Sequence, residues 1–460
     1  RMKYLPAAAK GCGSTAKERR KALRMNTSSA LMKKIRKFGR TLNKHIPATR
    51  KWRFKYWDVQ TERFMKMTKD VETNPHAVVF EAFGGRSFAC SPRAIYKAMC
   101  ADHRFDDWDF YWSFTTGRVK RQRLDLAISS RATVIARGSQ EYFDAMTASK
   151  YWVVNNRVPE YVVPREDQVY VQCWHGTPLK RLGFDVPADS TGGALNTAEE
   201  LARRFNVDSE KWTYLLSPSS FASEHLASAF GLSEDKIADT IIEEGYPRND
   251  FIVNTCNAPD SEGRINALKE RYGIPMDKKV LLFAPTWRDD QYEPGVGYTM
   301  DCLIDFDKLR EGLGDEWIVV LRTHYYIANK IDLTPWRGFV YNASKVEDIN
   351  HLYCMADALC TDYSSVFFDY ANTGRPLYFY WPDFDHYANE LHGFYFDART
   401  IPGPKCTTPE ELVDALHKFD TWDAEYGEAY KEFQKEFCPK DDGEAAQRVI
   451  DRIFEASQQA

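Results

Sequence analysis

Lys279-Val-Leu-Leu-Phe-Ala284, then a helical stretch over 304–313, then Glu316-Trp-Ile-Val-Val-Leu321: this succession of strand, helix and strand decides the fold. Short β-branched and aromatic runs alternating with helical stretches imply parallel strands joined by crossover helices, an α/β architecture. Working outward, the same pattern predicts strands at 338–341, 358–361 and 376–380, with helices at 346–356 and 364–373. Upstream it predicts strands at 76–82, 107–114, 132–136, 151–155, 168–174 and 213–217, with helices at 91–101, 139–149 and 194–206. A break at 245–262 separates the two sets. The reading is therefore two facing, doubly wound domains, 58–245 and 246–440, with a basic segment 1–57 before them. The tail from 408 to 457 reads as three helices, the last assigned to 441–460. In open parallel sheets, ligands sit beyond the carboxyl ends of the strands, so chemistry is sought there.

The 460 residues include 43% hydrophobic and 14% aromatic side chains, ample for real cores, which excludes a disordered or fibrous chain. No window reaches the roughly 18 uninterrupted apolar residues of a spanning helix, and the start lacks a signal-peptide apolar region. Ten scattered cysteines with no CxxC pair read as reduced core thiols of a cytosolic chain. The net charge of −4 conceals a split: residues 1–57 hold 18 Lys or Arg and one acid, Glu18, for +17, which leaves −21 on the rest. Within that segment Leu31, Ile35, Phe38 and Leu42 fall on one helical face, with Ile46 continuing it up to Pro47, while Lys33, Lys34, Arg36 and Lys37 occupy the flanks and back. A basic amphipathic helix of this kind suits an anionic membrane surface. Docking of the apolar stripe on the chain's own body is the plainer alternative, and a nucleic-acid arm is disfavoured.

Several strand ends carry chemistry. Val171-Gln-Cys-Trp-His-Gly-Thr-Pro-Leu-Lys180 places His175 just past a strand, with Gly176 permitting a tight turn and Pro178 suited to a first helical position. Histidine titrates near neutrality and can take a proton from an attacking hydroxyl, although a lone histidine more often has a structural role. Arg288 follows the strand at 279–284, and Arg322 and His324 follow the strand at 316–321; an arginine fork suits phosphate. Cys360-Thr-Asp-Tyr-Ser-Ser365 ends a strand and opens a helix whose first turn would hold Ser364 and Ser365, a phosphate seat beside Thr361 and Asp362, or simply a serine cap. Arg248, within Glu243-Glu-Gly-Tyr-Pro-Arg-Asn-Asp250, reads alone as a surface charge. The phosphate-loop, dinucleotide, zincin, serine-hydrolase and EF-hand motifs are all absent. Jointly, these strand ends suit a cleft that binds a diphosphate, where reaction at phosphorus needs positioning and charge neutralisation.

The strings WHGTPLK (174–180), EGYPRND (244–250), APTWRDD (284–290), LRTH (321–324), TDYSSVFFDYA (361–371) and GFYFD (393–397) resemble the CDP-glycerol glycerophosphotransferase family of teichoic acid primases and polymerases, in unbroken order over roughly 76–440. The resemblance implies a GT-B-like pair of Rossmann-type domains, with CDP-glycerol as donor and a lipid-linked or polymeric acceptor at the cytoplasmic membrane face. By the same resemblance His175 is the base. Arg322 and His324 neutralise the diphosphate and the departing CMP, with His324 a candidate acid; Ser364 and Ser365 seat a phosphate, Thr361 and Asp362 line the pocket, and Arg248 and Arg288 face it. No metal constellation is visible, and a divalent cation would arrive with the diphosphate. The competing readings are a CDP-ribitol transferase, a nucleotide-sugar glycosyltransferase and a non-catalytic polyanion binder.

Overall fold

A computed structural model describes residues 47–120, 131–187, 198–286, 292–293, 297–298, 304–323, 331–384 and 393–455, with backbone alone at 47–56, 120, 292–293, 297–298 and 455. Leu31, Lys33, Lys34, Ile35, Arg36, Lys37, Phe38 and Leu42, read from the sequence as a membrane-binding face, lie outside the described residues together with Arg288 and His324.

Seven strands, β1 (Asn74–Glu81), β2 (Asp109–Phe114), β3 (Ala132–Ala136), β4 (Ser149–Val154), β5 (Val169–Gln172), β6 (Tyr214–Ser217) and β7 (Ile241–Glu243), form one sheet in the order β3-β2-β1-β4-β5-β6-β7. After β8 (Lys279–Ala284) come a two-stranded hairpin, β9 (Tyr292–Glu293) with β10 (Gly297–Tyr298), and then β11 (Trp317–Leu321), β12 (Val340–Asn342), β13 (Ala358–Thr361), β14 (Leu377–Tyr380) and β15 (Lys405–Cys406). Six of these make a second sheet, β12-β11-β8-β13-β14-β15, whose pairings are all parallel. Its centre is fully enclosed: β8, β11, β13 and β14 are buried almost residue for residue, as expected of strands covered by helices on both faces. The strand order of each sheet and the intervening helices make the expected α/β, two-domain, GT-B-like architecture.

By compactness the chain divides into two units. One comprises Arg1–Val79, Asp107–Tyr151 and Val158–Gln168. Its described part opens with a helix, Pro47–Thr68, that the sequence reading did not anticipate; Pro47 starts it, where a missing N–H costs nothing. Gln60, Phe64 and Thr68, spaced by four, are buried along this helix, and Arg165 Nη1 closes its end by donating to the carbonyls of Thr68 (3.0 Å) and Val71 (2.9 Å).

The other unit comprises Phe80–Asp106, Trp152–Arg157 and Val169–Ala460 and holds every described candidate residue. The segment read as a break is ordered: Pro247–Asn249 forms a 3-10 turn, and helices follow at Asp250–Cys256 and Ser261–Tyr272. The tail folds as the three expected helices, Pro409–His417, Trp422–Phe437 and Ala445–Ile450. Eight described cysteines are free thiols, six of them buried. Among the described residues no helix is long and apolar enough to cross a membrane.

Candidate active site

His175 follows β5, and two local features aim it. Trp174 adopts a left-handed conformation (φ 49°), its N–H donating to Gln172 Oε1 (2.9 Å) while its ring packs against Phe205 and Phe230. A non-glycine residue held there stores strain, which persists only where the surroundings over-determine it. His175 Nδ1 lies 2.8 Å from the main-chain oxygen of Asn155. A carbonyl can only accept, so Nδ1 carries the proton and Nε2 keeps its lone pair. Burial holds the imidazole well below its usual pKa, at about 4; the Asn155 hydrogen bond opposes this, and the charges of Arg248, Arg157 and Arg86 reinforce it. The ring nevertheless meets the open cavity and is exposed there, so water screens part of this depression until a ligand displaces it. Near neutrality His175 is an uncharged acceptor.

A cavity of about 680 Å³ is lined by Trp174 to Lys180 and Leu182 on one side and by strand ends of the second sheet on the other: Ala284 to Thr286 after β8, Arg322 and Thr323 after β11, Ser344 after β12, and Tyr363 to Val366 after β13. Arg322 is aimed rather than loose. Its Nη1 donates to the carbonyls of Ala343 (2.9 Å) and Val346 (2.5 Å), so the guanidinium is fixed at the wall. Thr323 Oγ1 and Ser344 Oγ lie 3.0 Å apart and add a hydroxyl pair to that wall. Ser364 and Ser365 are half-buried, and neither hydroxyl has a partner among the described residues. The helix after them starts at Val366, not at Ser364, and runs only to Tyr370, with Ser365 as its uncapped first flank. A single turn adds little dipole, so the anion-seeking groups here are the hydroxyls themselves.

Thr361 and Asp362 sit behind the wall. Thr361 Oγ1 donates to the Ala284 carbonyl (2.7 Å), and Asp362 Oδ1 accepts from the N–H groups of Thr286 (2.7 Å) and Tyr363 (2.6 Å). They fasten the ends of β8 and β13 together. Arg248 also lies off the lining, and its guanidinium grips Asp369 through Nε (3.0 Å) and Nη2 (2.9 Å) above the Tyr246 ring, while buried Nη1 has no partner among the described residues. Asn249 Nδ2 bridges Asp369 (3.1 Å) and Asp441 (2.6 Å), which ties the 244–250 segment to the 361–371 segment. Gly176, expected to serve a turn, has no unusual φ and instead lets its loop approach Ser365. Pro178 opens no helix: Leu179–Leu182 runs beside Gly393–Tyr395, with Tyr395 N–H donating to Leu179 O (3.1 Å) and Arg181 N–H to Gly393 O (3.2 Å). Tyr395 Oη donates to Asp185 (2.5 Å) and accepts from Leu182 N–H (3.2 Å).

The structure thus gathers His175, Arg322, Ser364 and Ser365 on one cavity, with Thr361, Asp362 and Arg248 supporting it. Sequence reasoning passed over Asn155, Thr323 and Ser344, although all three follow strands and a consistent search of strand ends finds them. Among the described residues no group of three His, Cys, Asp or Glu is placed to hold a metal ion.

The strand ends of this GT-B-like α/β chain thus gather a histidine, an aimed arginine and two half-buried serine hydroxyls around one cavity. Residues 63–455 match the family model described as CDP-Glycerol:Poly(glycerophosphate) glycerophosphotransferase, and the chain belongs to that family. It is 38% identical over 427 residues to the teichoic acid poly(glycerol phosphate) polymerase of Bacillus subtilis (strain 168), covering 93% of this chain and 53% of the relative. Identity to the teichoic acid glycerol-phosphate transferase of Staphylococcus aureus (strain NCTC 8325 / PS 47) is 37%, covering 83% of this chain and 93% of the relative. Among solved structures, the wall teichoic acid polymerase TagF superposes with a TM-score of 0.78 at 33% identity, over 92% of this chain and 98% of that one. The chain spans about half the length of the Bacillus subtilis relative.

Proposed function

We propose that this chain transfers glycerol phosphate from CDP-glycerol to a hydroxyl of a lipid-linked or polymeric glycerol phosphate acceptor, releasing CMP. The observation that carries this reading is a neutral His175 with a free Nε2, on the same cavity as Arg322, Ser364 and Ser365. In the proposed reaction the acceptor oxygen attacks the β-phosphorus of CDP-glycerol and gives its proton to Nε2. The new O–P bond forms as the bond to the departing CMP breaks. Such transfers depend on alignment and on stabilising charge spread over the phosphoryl oxygens. Arg322, Ser364 and Ser365 supply that stabilisation, with His324 and Arg288 assigned beside them on sequence grounds. Thr361, Asp362 and Arg248 act indirectly by holding the strand ends. The basic segment around Leu31, Ile35, Phe38 and Leu42, whose sequence pattern is that of an amphipathic helix, is assigned to the anionic cytoplasmic face of the membrane, where a lipid-linked acceptor would lie.

The test offers the purified chain CDP-glycerol and CDP-ribitol in parallel, with a lipid-anchored glycerol phosphate acceptor, and follows CMP. Turnover is expected from CDP-glycerol. His175→Ala is expected to lower kcat by about 10² or more while leaving donor affinity unchanged. A variant that turns over normally would remove His175 as the base, and CMP released from CDP-ribitol alone would reassign the donor.

A further inference from the structure

A second element meets His175 outside the cavity lining. Phe83, Gly84 and Gly85 are consecutively left-handed (φ 49°, 65° and 78°), and the turn is closed by Gly85 N–H donating to Ala82 O (3.0 Å) and by a bridge between Ala82 and Ser87. Phe83, the non-glycine member, is held by its N–H donating to Asn155 Oδ1 (2.7 Å). Its ring stands edge-on to His175, with centroids 5.9 Å apart. Asn155 therefore ties two things at once: its main-chain oxygen fixes the imidazole, and its side-chain oxygen fixes the turn. The turn presents Arg86, an exposed cation, and Ser87, whose buried hydroxyl has no partner among the described residues. Neither lines the cavity assigned to the donor.

We propose that the Phe83–Ser87 turn is the acceptor subsite, and that Arg86 holds the phosphodiester adjoining the hydroxyl that attacks. This rests on the reading of His175 as the base. A chain built of glycerol phosphate units carries a phosphodiester anion three carbons and one oxygen from its terminal hydroxyl. When that hydroxyl hydrogen-bonds Nε2, the anion has to sit within a short reach of the imidazole. Arg86 is the exposed cation on the turn fixed to that ring, and a guanidinium fork matches a phosphodiester's two free oxygens. The left-handed turn keeps this cation in register with the base, because both hang from Asn155. Arg86 is thus a residue for acceptor recognition, distinct in place from Arg322.

The decisive experiment compares two soluble acceptor analogues with CDP-glycerol as donor: one ends in glycerol phosphate, the other in its uncharged methylphosphonate isostere. Wild type is expected to favour the charged acceptor. Arg86→Gln is expected to raise its KM about tenfold or more, to abolish the preference and to leave the KM for CDP-glycerol unchanged, with Arg86→Lys recovering part of the loss. His175→Ala, run alongside, is expected to slow both acceptors equally and keep the preference. The proposal is overturned if wild type shows no preference, if Arg86→Gln retains it, if both acceptors weaken equally, or if the donor KM rises instead. Normal turnover by His175→Ala together with a lost preference in Arg86→Gln would remove the base assignment and leave the subsite standing.

Discussion

Ser365 Oγ crowds the place where a side chain on Gly176 would begin: a Cβ built there lies 2.9 Å from that oxygen. The loop that carries His175 and the turn that offers the two serines therefore touch through a missing methyl group. Gly176→Ala is expected to push the Ser365 hydroxyl off its position and weaken CDP-glycerol binding. Ser365→Ala relieves the crowding, since the next atom, Cβ, is 3.8 Å away. Calorimetric titration of the double variant should give the donor affinity of Ser365→Ala alone; additive losses would contradict the contact.

The pH profile follows from His175. A base must be unprotonated, so kcat should fall as pH drops through the imidazole's pKa in the ligand-filled cavity, which burial and the charges of Arg248, Arg157 and Arg86 hold below its usual value. The acid limb is expected below the ordinary histidine range, which lies near 6.5. Arg157→Gln removes one of the depressing charges and should move that limb upward. A limb at or above the ordinary value in the wild type would show that another group governs it.

Arg248 and Asp369 form a buried pair in which each charge depends on the other. Arg248→Met strands the Asp369 carboxylate and is expected to cost about 3–5 kcal/mol in urea unfolding. Replacing Asp369 by Leu in the same chain should recover a substantial part, because an apolar pair of similar volume avoids the uncompensated charge. Equal stability of single and double variants would argue against this coupling.

Tyr395 links the 179–182 stretch to Asp185 through its hydroxyl. Tyr395→Phe removes a hydrogen bond to a carboxylate and should lower stability by about 1.5–3 kcal/mol. Since Leu179, Lys180 and Leu182 line the cavity, kcat should fall as well. A variant with unchanged unfolding midpoint would show that the hydroxyl contributes nothing net.

Much of this was legible before any coordinates. The runs at 132–136, 279–284 and 358–361 are strands at the predicted residues, because short β-branched segments flanked by turn residues leave little choice of structure. His175, Arg322, Ser364 and Ser365 follow from one rule, that parallel sheets offer their carboxyl ends to ligands. What escaped has physical reasons. Ile241–Glu243 is too short to stand out, and the Gly, Pro and Asn of the following segment disguise a 3-10 turn and a helix as a break. Arg248 reads the same whether it faces solvent or a partner; its partner Asp369 lies 121 residues away. Asn155 follows a strand and falls within the strand-end rule, but it orients His175 through a main-chain oxygen, a role that no side-chain pattern reveals.

Arg322 carries one more consequence. Its Nη1 is already bonded to the carbonyls of Ala343 and Val346. A long side chain loses on the order of 2 kcal/mol of rotamer freedom when it is immobilised. Here that loss occurs once, during folding, instead of at every encounter with a ligand. A lysine would keep the charge but lack the second set of donors, and would have to surrender its freedom anew each time. A cation whose freedom is lost once, on folding, meets each successive ligand without losing it again.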